Sequence, residues 1–268
     1  MLGMTITERY ADPEATLDVV SEVLGVQLAH RSVRRFLPDP VDDARLHAIV
    51  AAAQSAPTSS NLQAWSVIAV RDPDRKRRLS VLANNQGFID DAPLFLVWVA
   101  DLGRARRLAT RRAVPLDATD YLESTIIGFV DTALAAQNAV VAAESLGLGT
   151  VFVGAIRNHP LEVADELRLP DHAIATFGLA IGRPDPTEPA GVKPRLPQAA
   201  VLHRETYDAA AADSHVDAYD GTLTGYNSRH GLDGDWSTRV LARLAGAESL
   251  HGRENLRAQL EARGLPSW

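Results

Sequence analysis

An α+β fold is predicted by short strand-like runs dispersed among helical patterns, together with one long helical pattern that is apolar nearly all round. The strand-like runs are Trp65-Ser66-Val67-Ile68-Ala69-Val70, Leu94-Phe95-Leu96-Val97-Trp98-Val99-Ala100, Val151-Phe152-Val153 and residues 173–181. The long pattern covers about residues 118–146. Ile126, Ile127, Val130, Leu134, Ala135, Ala139, Val140, Ala142 and Ala143 are spread around its circumference, so it has to be buried, and it reads as the core of a dimer. No internal repeat and no linker divides the chain, which reads as a single domain over 1–268.

Taken in order, residues 1–12 show no period, and a near-helical recurrence of Leu17, Val20, Val23, Leu24, Val26 and Leu28 fills 13–29. His30-Arg31-Ser32-Val33-Arg34-Arg35-Phe36 follows, ahead of a turn marked by Pro38 and Pro40. Guanidinium forks and a short hydroxyl suit a phosphate monoester, because each N–H meets a fixed oxygen and the charge is neutralised in place. The same residues also read as a solvated basic segment after a helix. Asp42-Asp43 opens a helix with Leu46, Ile49, Val50 and Ala53 on one face, and Pro57 lies beyond its end.

Thr58, Ser59, Ser60 and Gln63 sit in a loop too polar for a core; locally it reads as a helix C-terminal turn. The run Arg75-Lys76-Arg77-Arg78 reads as the solvated face of a helix over 74–83, and Gln86 falls in the Asn/Gly-rich turn behind it. Residues 94–100 fit a strand covered on both faces. Residues 104–120, Arg-rich and broken by Pro115, read as a surface excursion. Gly147 is placed to stop the long helix, and Gly147-Leu148-Gly149 is no dinucleotide fingerprint, since it follows a helix instead of opening one. Val153 and Gly154 end a strand, and a Pro-crowded loop over 184–197 holds Lys193 and Arg195 at low entropic cost. Residues 208–235 have no strong period and read as a mobile excursion, ahead of C-terminal helices over 236–268.

Composition narrows the function. With 46% hydrophobic and 23% charged residues, the 268-residue chain is an ordinary globular protein. Its 27 Lys and Arg against 34 Asp and Glu give −7, which argues against nucleic acid or an anionic membrane as partner and makes the basic clusters local sites for a small anion. No cysteine is present, so disulfides, thiolate catalysis and Cys-bound metals are excluded. The eight histidines show no HExxH or paired spacing, no G-x-S-x-G elbow occurs, and no metal site is expected. The first residues lack the apolar centre of a signal peptide and no apolar run reaches the roughly 18 residues of a membrane span, so a cytoplasmic location is expected. Difficult chemistry then has to be borrowed from a cofactor.

His30–Phe36, Ser55–Trp65, Gln86, 130–158, Phe177–Pro184 and 192–197, in that order, resemble the FMN-dependent nitroreductase family, in its NADPH-linked, oxygen-insensitive nitroreductase and flavin reductase branch. The resemblance implies a mainly antiparallel central sheet flanked by helices, in an intertwined homodimer. It implies FMN as cofactor, held by His30, Arg31, Ser32, Arg34, Thr58, Ser59, Ser60, Gln63, Gln86, Val153, Gly154, Lys193 and Arg195. The loop at 58–63 is similar to one that commonly reaches the flavin of the neighbouring subunit. Ala155 departs from the family, which usually shows a second glycine there.

The implied activity is two-electron transfer from NADPH, with NADH as a further donor, to small-molecule oxidants such as nitroaromatics, quinones or free flavin, in a ping-pong order. No side chain acts as acid or base. Arg229 resembles a basic residue that meets the NADPH 2′-phosphate, and equally reads as a solvated loop residue. A dedicated flavin or chromate reductase and a non-catalytic flavin-binding module are the competing readings.

Overall fold

The computed structural model describes residues 2–268, with side chains from Ile6 onward; Met1 lies outside the described residues. Two compact units are present: Ser32–Glu188 with Leu250–Trp268, and Met1–Arg31 with Pro189–Ser249.

The larger unit is built on a sheet of β1 (Trp65–Val70), β2 (Leu94–Asp101), β3 (Gly149–Val153) and β4 (Ala173–Gly182). The order is β1-β2-β4-β3 and every pair is antiparallel, so the fold is α+β with an antiparallel sheet. All eight residues of β2 are buried, as its unbroken apolar run requires. Alternation then sorts its side chains onto two faces. Leu94, Leu96 and Trp98 pack with Ile49, Ala53, Ala136, Ala139 and Val140 from the helices Asp43–Gln54 and Leu122–Ser145. Phe95 and Val97 pack on the other side with Leu79, Ile89 and Val163 from the helices Pro73–Leu82, Phe88–Asp91 and Pro160–Leu167.

The long helix begins at Leu122, after a 3-10 turn over Asp117–Asp120. It ends in a Schellman motif: Leu148 N–H donates to Ala143 O, Gly147 N–H donates to Glu144 O, and Gly147 has φ of 76°. Gly149 has a separate reason for lacking a side chain, since a Cβ there would lie 2.6 Å from Val33. The helix is long and apolar enough by composition to cross a membrane, yet it lies against the sheet and carries Asp131, 2% exposed. Burial is not complete all round. Leu122, Ile126, Val130 and Leu134, four residues apart, form a stripe of side chains that are 39–49% exposed.

Two further readings of this unit are corrected. Residues 103–112 form a regular helix, Gly103–Arg112, where a surface excursion was expected. Its Arg106 pairs with Asp120, and Arg104 donates to Gln63 O and Trp65 O, so the arginines serve as ties. The basic run is only partly a solvated face. Lys76 is buried, with its Nζ donating to Asp90 O and Ala92 O at 2.8 and 2.6 Å, and burial lowers its pKa. Arg75 and Arg78 both pair with Glu166, at 2.9 and 2.7 Å, and the Arg78 hydrogen bond, helped by Arg75, holds that carboxyl down to about 2.

In the smaller unit, the helix Leu2–Tyr10 occupies residues read as aperiodic, and the next helix covers only Glu22–Ala29. Ser21 is the reason for the late start: its side chain accepts from Leu24 N–H and fixes the N-cap there. Residues 208–235, read as an irregular excursion, contain the helices Ala209–Asp213 and Val216–Arg229. Tyr219, Leu223 and Tyr226 recur at helical spacing and are buried beside Leu196 and Trp236. The C-terminal helices are shorter than expected, at Trp236–Arg243 here and Leu256–Ala262 in the larger unit.

Candidate functional site

In the larger unit, Ser32 to Phe36 runs beside the sheet. Ser32 bridges to Thr150 in parallel, Val33 N–H donates to Thr150 O at 2.9 Å, and Leu37 N–H donates to Arg183 O. Val33 and Phe36 are buried in the core and Arg34 is exposed, so two apolar anchors fix a short stretch that presents a cation outward. Arg34 N–H donates to Glu188 Oε1 at 2.8 Å, which ties the backbone and leaves its guanidinium out of that contact. Val153 ends β3 on the adjacent edge, and Gly154 opens a 3-10 turn, Gly154–Arg157. A Cβ on Gly154 would meet the Arg157 guanidinium at 3.5 Å and nothing nearer. Gln86 follows Asn84 and Asn85, both with positive φ, and its backbone is pinned twice to Ser80.

The loop with Thr58, Ser59, Ser60 and Gln63 lies between the helix Asp43–Gln54 and β1. Ser60, Asn61 and Gln63 have φ of 47°, 57° and 50°, a region that costs an L-residue about 1–2 kcal/mol each. Asp131 holds it there. Its Oδ2 accepts from Thr58 Oγ1 at 2.5 Å and from Ala64 N–H at 3.0 Å, and its Oδ1 accepts from Ser59 N–H at 3.2 Å. Thr58 Oγ1 in turn accepts from Gln63 N–H at 2.9 Å. Hydrogen bonds to a charged acceptor contribute about 1.5–3 kcal/mol each, enough to offset that strain.

In the smaller unit, His30 caps the helix Glu22–Ala29 and leads to Arg31. Lys193 and Arg195 lie in the Pro-rich loop, whose backbone is tied down at several points. Tyr226 Oη donates to Gly191 O, Tyr219 Oη donates to Pro194 O, and Lys193 Nζ lies 5.7 Å from the centre of the Tyr226 ring. The innermost tie is Arg9, 7% exposed. Its guanidinium donates to Lys193 O, Leu28 O and His30 O at 2.8, 2.9 and 2.5 Å, and its own carbonyl accepts from Arg195 N–H. His30 and, more than 160 positions later in sequence, Lys193 and Arg195 are thereby brought around one buried cation.

Arg229 ends the helix Val216–Arg229, where a cation also complements the helix dipole. With Glu8, Pro194, Tyr226 and His230 it lines a cavity of about 260 Å³.

Asp131 and Arg9 escaped the sequence reading. A lone Asp inside a long apolar helix was the available signal for the first. Arg9 had none, since it lies in a stretch without periodicity.

Known proteins can be set beside this geometry. A family model described as "Nitroreductase family" matches residues 28–183, and one described as "Nitroreductase family, C-terminal domain" matches residues 193–267. The NAD(P)H FMN reductase of Bacillus subtilis (strain 168) is 40% identical over 245 residues, covering 90% of this chain and 98% of that protein. The solved structure of B. megaterium NfrA2 is 40% identical, covers 93% of this chain and 100% of that one, and superposes with a TM-score of 0.87. The NADPH:FMN oxidoreductase from Vibrio harveyi complexed with NAD+ is 35% identical, covers 92% of this chain and 100% of that one, and has a TM-score of 0.82.

Proposed function

Because this chain belongs to the nitroreductase family, we propose that it is an FMN-dependent oxidoreductase carrying two electrons from NADPH, or NADH, to nitroaromatics, quinones or free flavin. The observation that carries the reading is a 40% match spanning 98% of an FMN reductase, in a chain that keeps a phosphate-type donor set. The residues fit the cofactor: guanidinium, ammonium and hydroxyl groups suit its phosphate, and Gly154 keeps clear the place a side chain would fill.

His30, Arg31, Ser32, Lys193 and Arg195 hold the phosphate. Arg34 would supply a cation beside the ring, which would favour the negative charge of a reduced flavin. Gln86 and the backbone at Val153–Gly154 hydrogen-bond the ring, and Thr58, Ser59, Ser60 and Gln63 pack along it. When bound, FMN supplies the two-electron redox chemistry that no side chain here offers. The protein binds, orients and tunes, and no residue serves as general acid or base.

The working form is a homodimer, with the exposed stripe of Leu122, Ile126, Val130 and Leu134 covered by a second copy. All 268 residues act as one functional domain, and the cysteine-free chain works in the cytoplasm. Arg229 binds the NADPH 2′-phosphate; Arg229→Ala then raises KM for NADPH and spares NADH, and an unchanged preference removes that role.

The donor and the oxidant use one face in turn. Initial rates with NADPH and a quinone varied together are expected to give parallel double-reciprocal lines. Intersecting lines would mean that both substrates bind at once, contrary to this reading.

A further inference from the structure

A carboxyl group inside an apolar helix is costly unless the fold uses it. Asp131 is 2% exposed and its partners are all neutral donors: the Thr58 hydroxyl and the N–H groups of Ser59 and Ala64. A surface salt bridge or a helix cap would explain none of this, since the group lies mid-helix and faces a loop. The contacts are specific in direction. Thr58 has a single hydroxyl proton, and because its oxygen accepts from Gln63 N–H, that proton points at Asp131. The carboxyl thus reaches Gln63 through Thr58 and governs a segment with three residues of positive φ. Arg104 ties the far side of the segment through Gln63 O and Trp65 O, but it is exposed and grips only the exit to β1.

We propose that Asp131 is a positioning residue for the redox reaction: it holds residues 58–64 in the one backbone form that presents Ser60 and Gln63 to the flavin ring. The proposal rests on the FMN reading above for what the loop touches, and on the structure for what holds the loop. Replacing the carboxyl by an amide keeps the volume and turns one acceptor into a donor. The amide can still accept from Thr58 and Ala64, but its NH₂ then faces Ser59 N–H. The loop should loosen at Ser59 first, while the helix around position 131 stays formed.

Asp131→Asn tests this in the full-length protein. In the absence of FMN, amide hydrogen exchange at Ser59 and Ala64 is expected to speed up, with the amides of 132–145 unchanged. With FMN bound, the limiting rate of anaerobic flavin reduction by NADPH should fall on the order of 10-fold or more, the scale of a small misplacement of reacting groups. A loss of packing alone would instead raise exchange throughout the helix and leave the reduction rate of the folded fraction intact. Wild-type exchange at Ser59 together with a wild-type reduction rate overturns the proposal. If Asp131→Asn does not fold, Thr58→Val and Thr58→Ser decide. The valine variant, which lacks the hydroxyl, should lose clearly more rate than the serine variant, and equal losses overturn the proposal. Faster exchange at Ser59 in a protein whose wild type is not reduced by NADPH would retire the FMN reading and leave Asp131 as the holder of the loop.

Discussion

The loop over 58–64 and the loop over 189–195 are each held from within by one buried charged side chain, and the two charges are opposite. Asp131 collects a hydroxyl and two backbone N–H groups. Arg9 collects three backbone carbonyls. The sign follows what each loop presents. The first loop carries neutral side chains, and an anion can hold it by its donors without disturbing anything it offers. The second carries Lys193 and Arg195, and a carboxylate in the holding role would neutralise them. An arginine working through carbonyls fixes the same backbone and adds to the positive charge instead. The loop that carries two cations is held by its acceptors, and the neutral loop by its donors.

That comparison is most exposed at Arg9. Arg9→Ala leaves the carbonyls of Leu28, His30 and Lys193 without their buried donor, and is expected to cost about 3 kcal/mol or more of stability. FMN affinity should fall about 100-fold as the clamp residues lose their common anchor, the sum of roughly two charge-assisted contacts. Urea unfolding and a fluorescence titration with FMN read the two effects. A variant with wild-type stability and affinity would show that Arg9 anchors nothing.

A second test asks whether the 58–64 loop works across a dimer. Val130→Asp puts a charge into the stripe with Ile126 and Leu134, and should shift sedimentation at micromolar concentration from dimer to monomer. If the loop serves the flavin of the other copy, that monomer should lose affinity for riboflavin as well as FMN. A dimer that survives the substitution places the interface elsewhere.

Arg195→Ala sharpens the contrast between the loops. FMN binding should weaken about 10-fold, since a charge-assisted hydrogen bond is worth roughly 1.5–3 kcal/mol. Riboflavin, which has no phosphate, should lose little. Changes in 58–64 should weaken both ligands alike, so equal losses for Arg195→Ala would make the loops equivalent and the distinction void.

The smallest effect lies outside both loops and serves as a calibration. Glu166, held at about 2 by Arg78 and Arg75, has its pKa depressed from the usual 4.5. Between those values the unfolded chain binds the proton and the folded one does not. The stability from this cluster is therefore fully present above about 4.5 and is lost as pH falls through about 2. Glu166→Gln should flatten the acid limb of a Tm-against-pH profile in that window, and identical limbs would mean that the pairing contributes nothing in solution.

Much of the frame was legible because it is written in local pattern. The unbroken run of β2 announced a strand covered on both faces, Gly147 announced the helix end, and Asp42 announced a helix start. The basic stretches were visible as chemistry, and together with 55–65, Gln86, 130–158 and 177–184, in order along the chain, they carried the resemblance to the family. What stayed hidden depends on distant contacts. Arg9 lies 184 positions from Lys193, and Asp131 lies 73 from Thr58. Arg9 does not differ locally from a charge that points to solvent, and Asp131 differs only in being the lone Asp of an apolar helix. The helix Val216–Arg229 is a different case, because Tyr219, Leu223 and Tyr226 do recur at helical spacing but are diluted by Gly, Asp and Thr.

The central claim is that this chain moves electrons from a nicotinamide donor to an oxidant through bound FMN. The direct measurement is the visible spectrum of the FMN-loaded protein, free of unbound flavin, under anaerobic conditions. One equivalent of NADPH should bleach the yellow absorbance, and one equivalent of a quinone added afterwards should restore it. A protein that holds FMN and stays yellow with excess NADPH would be a flavin-binding module, and the claim of electron transfer would be wrong.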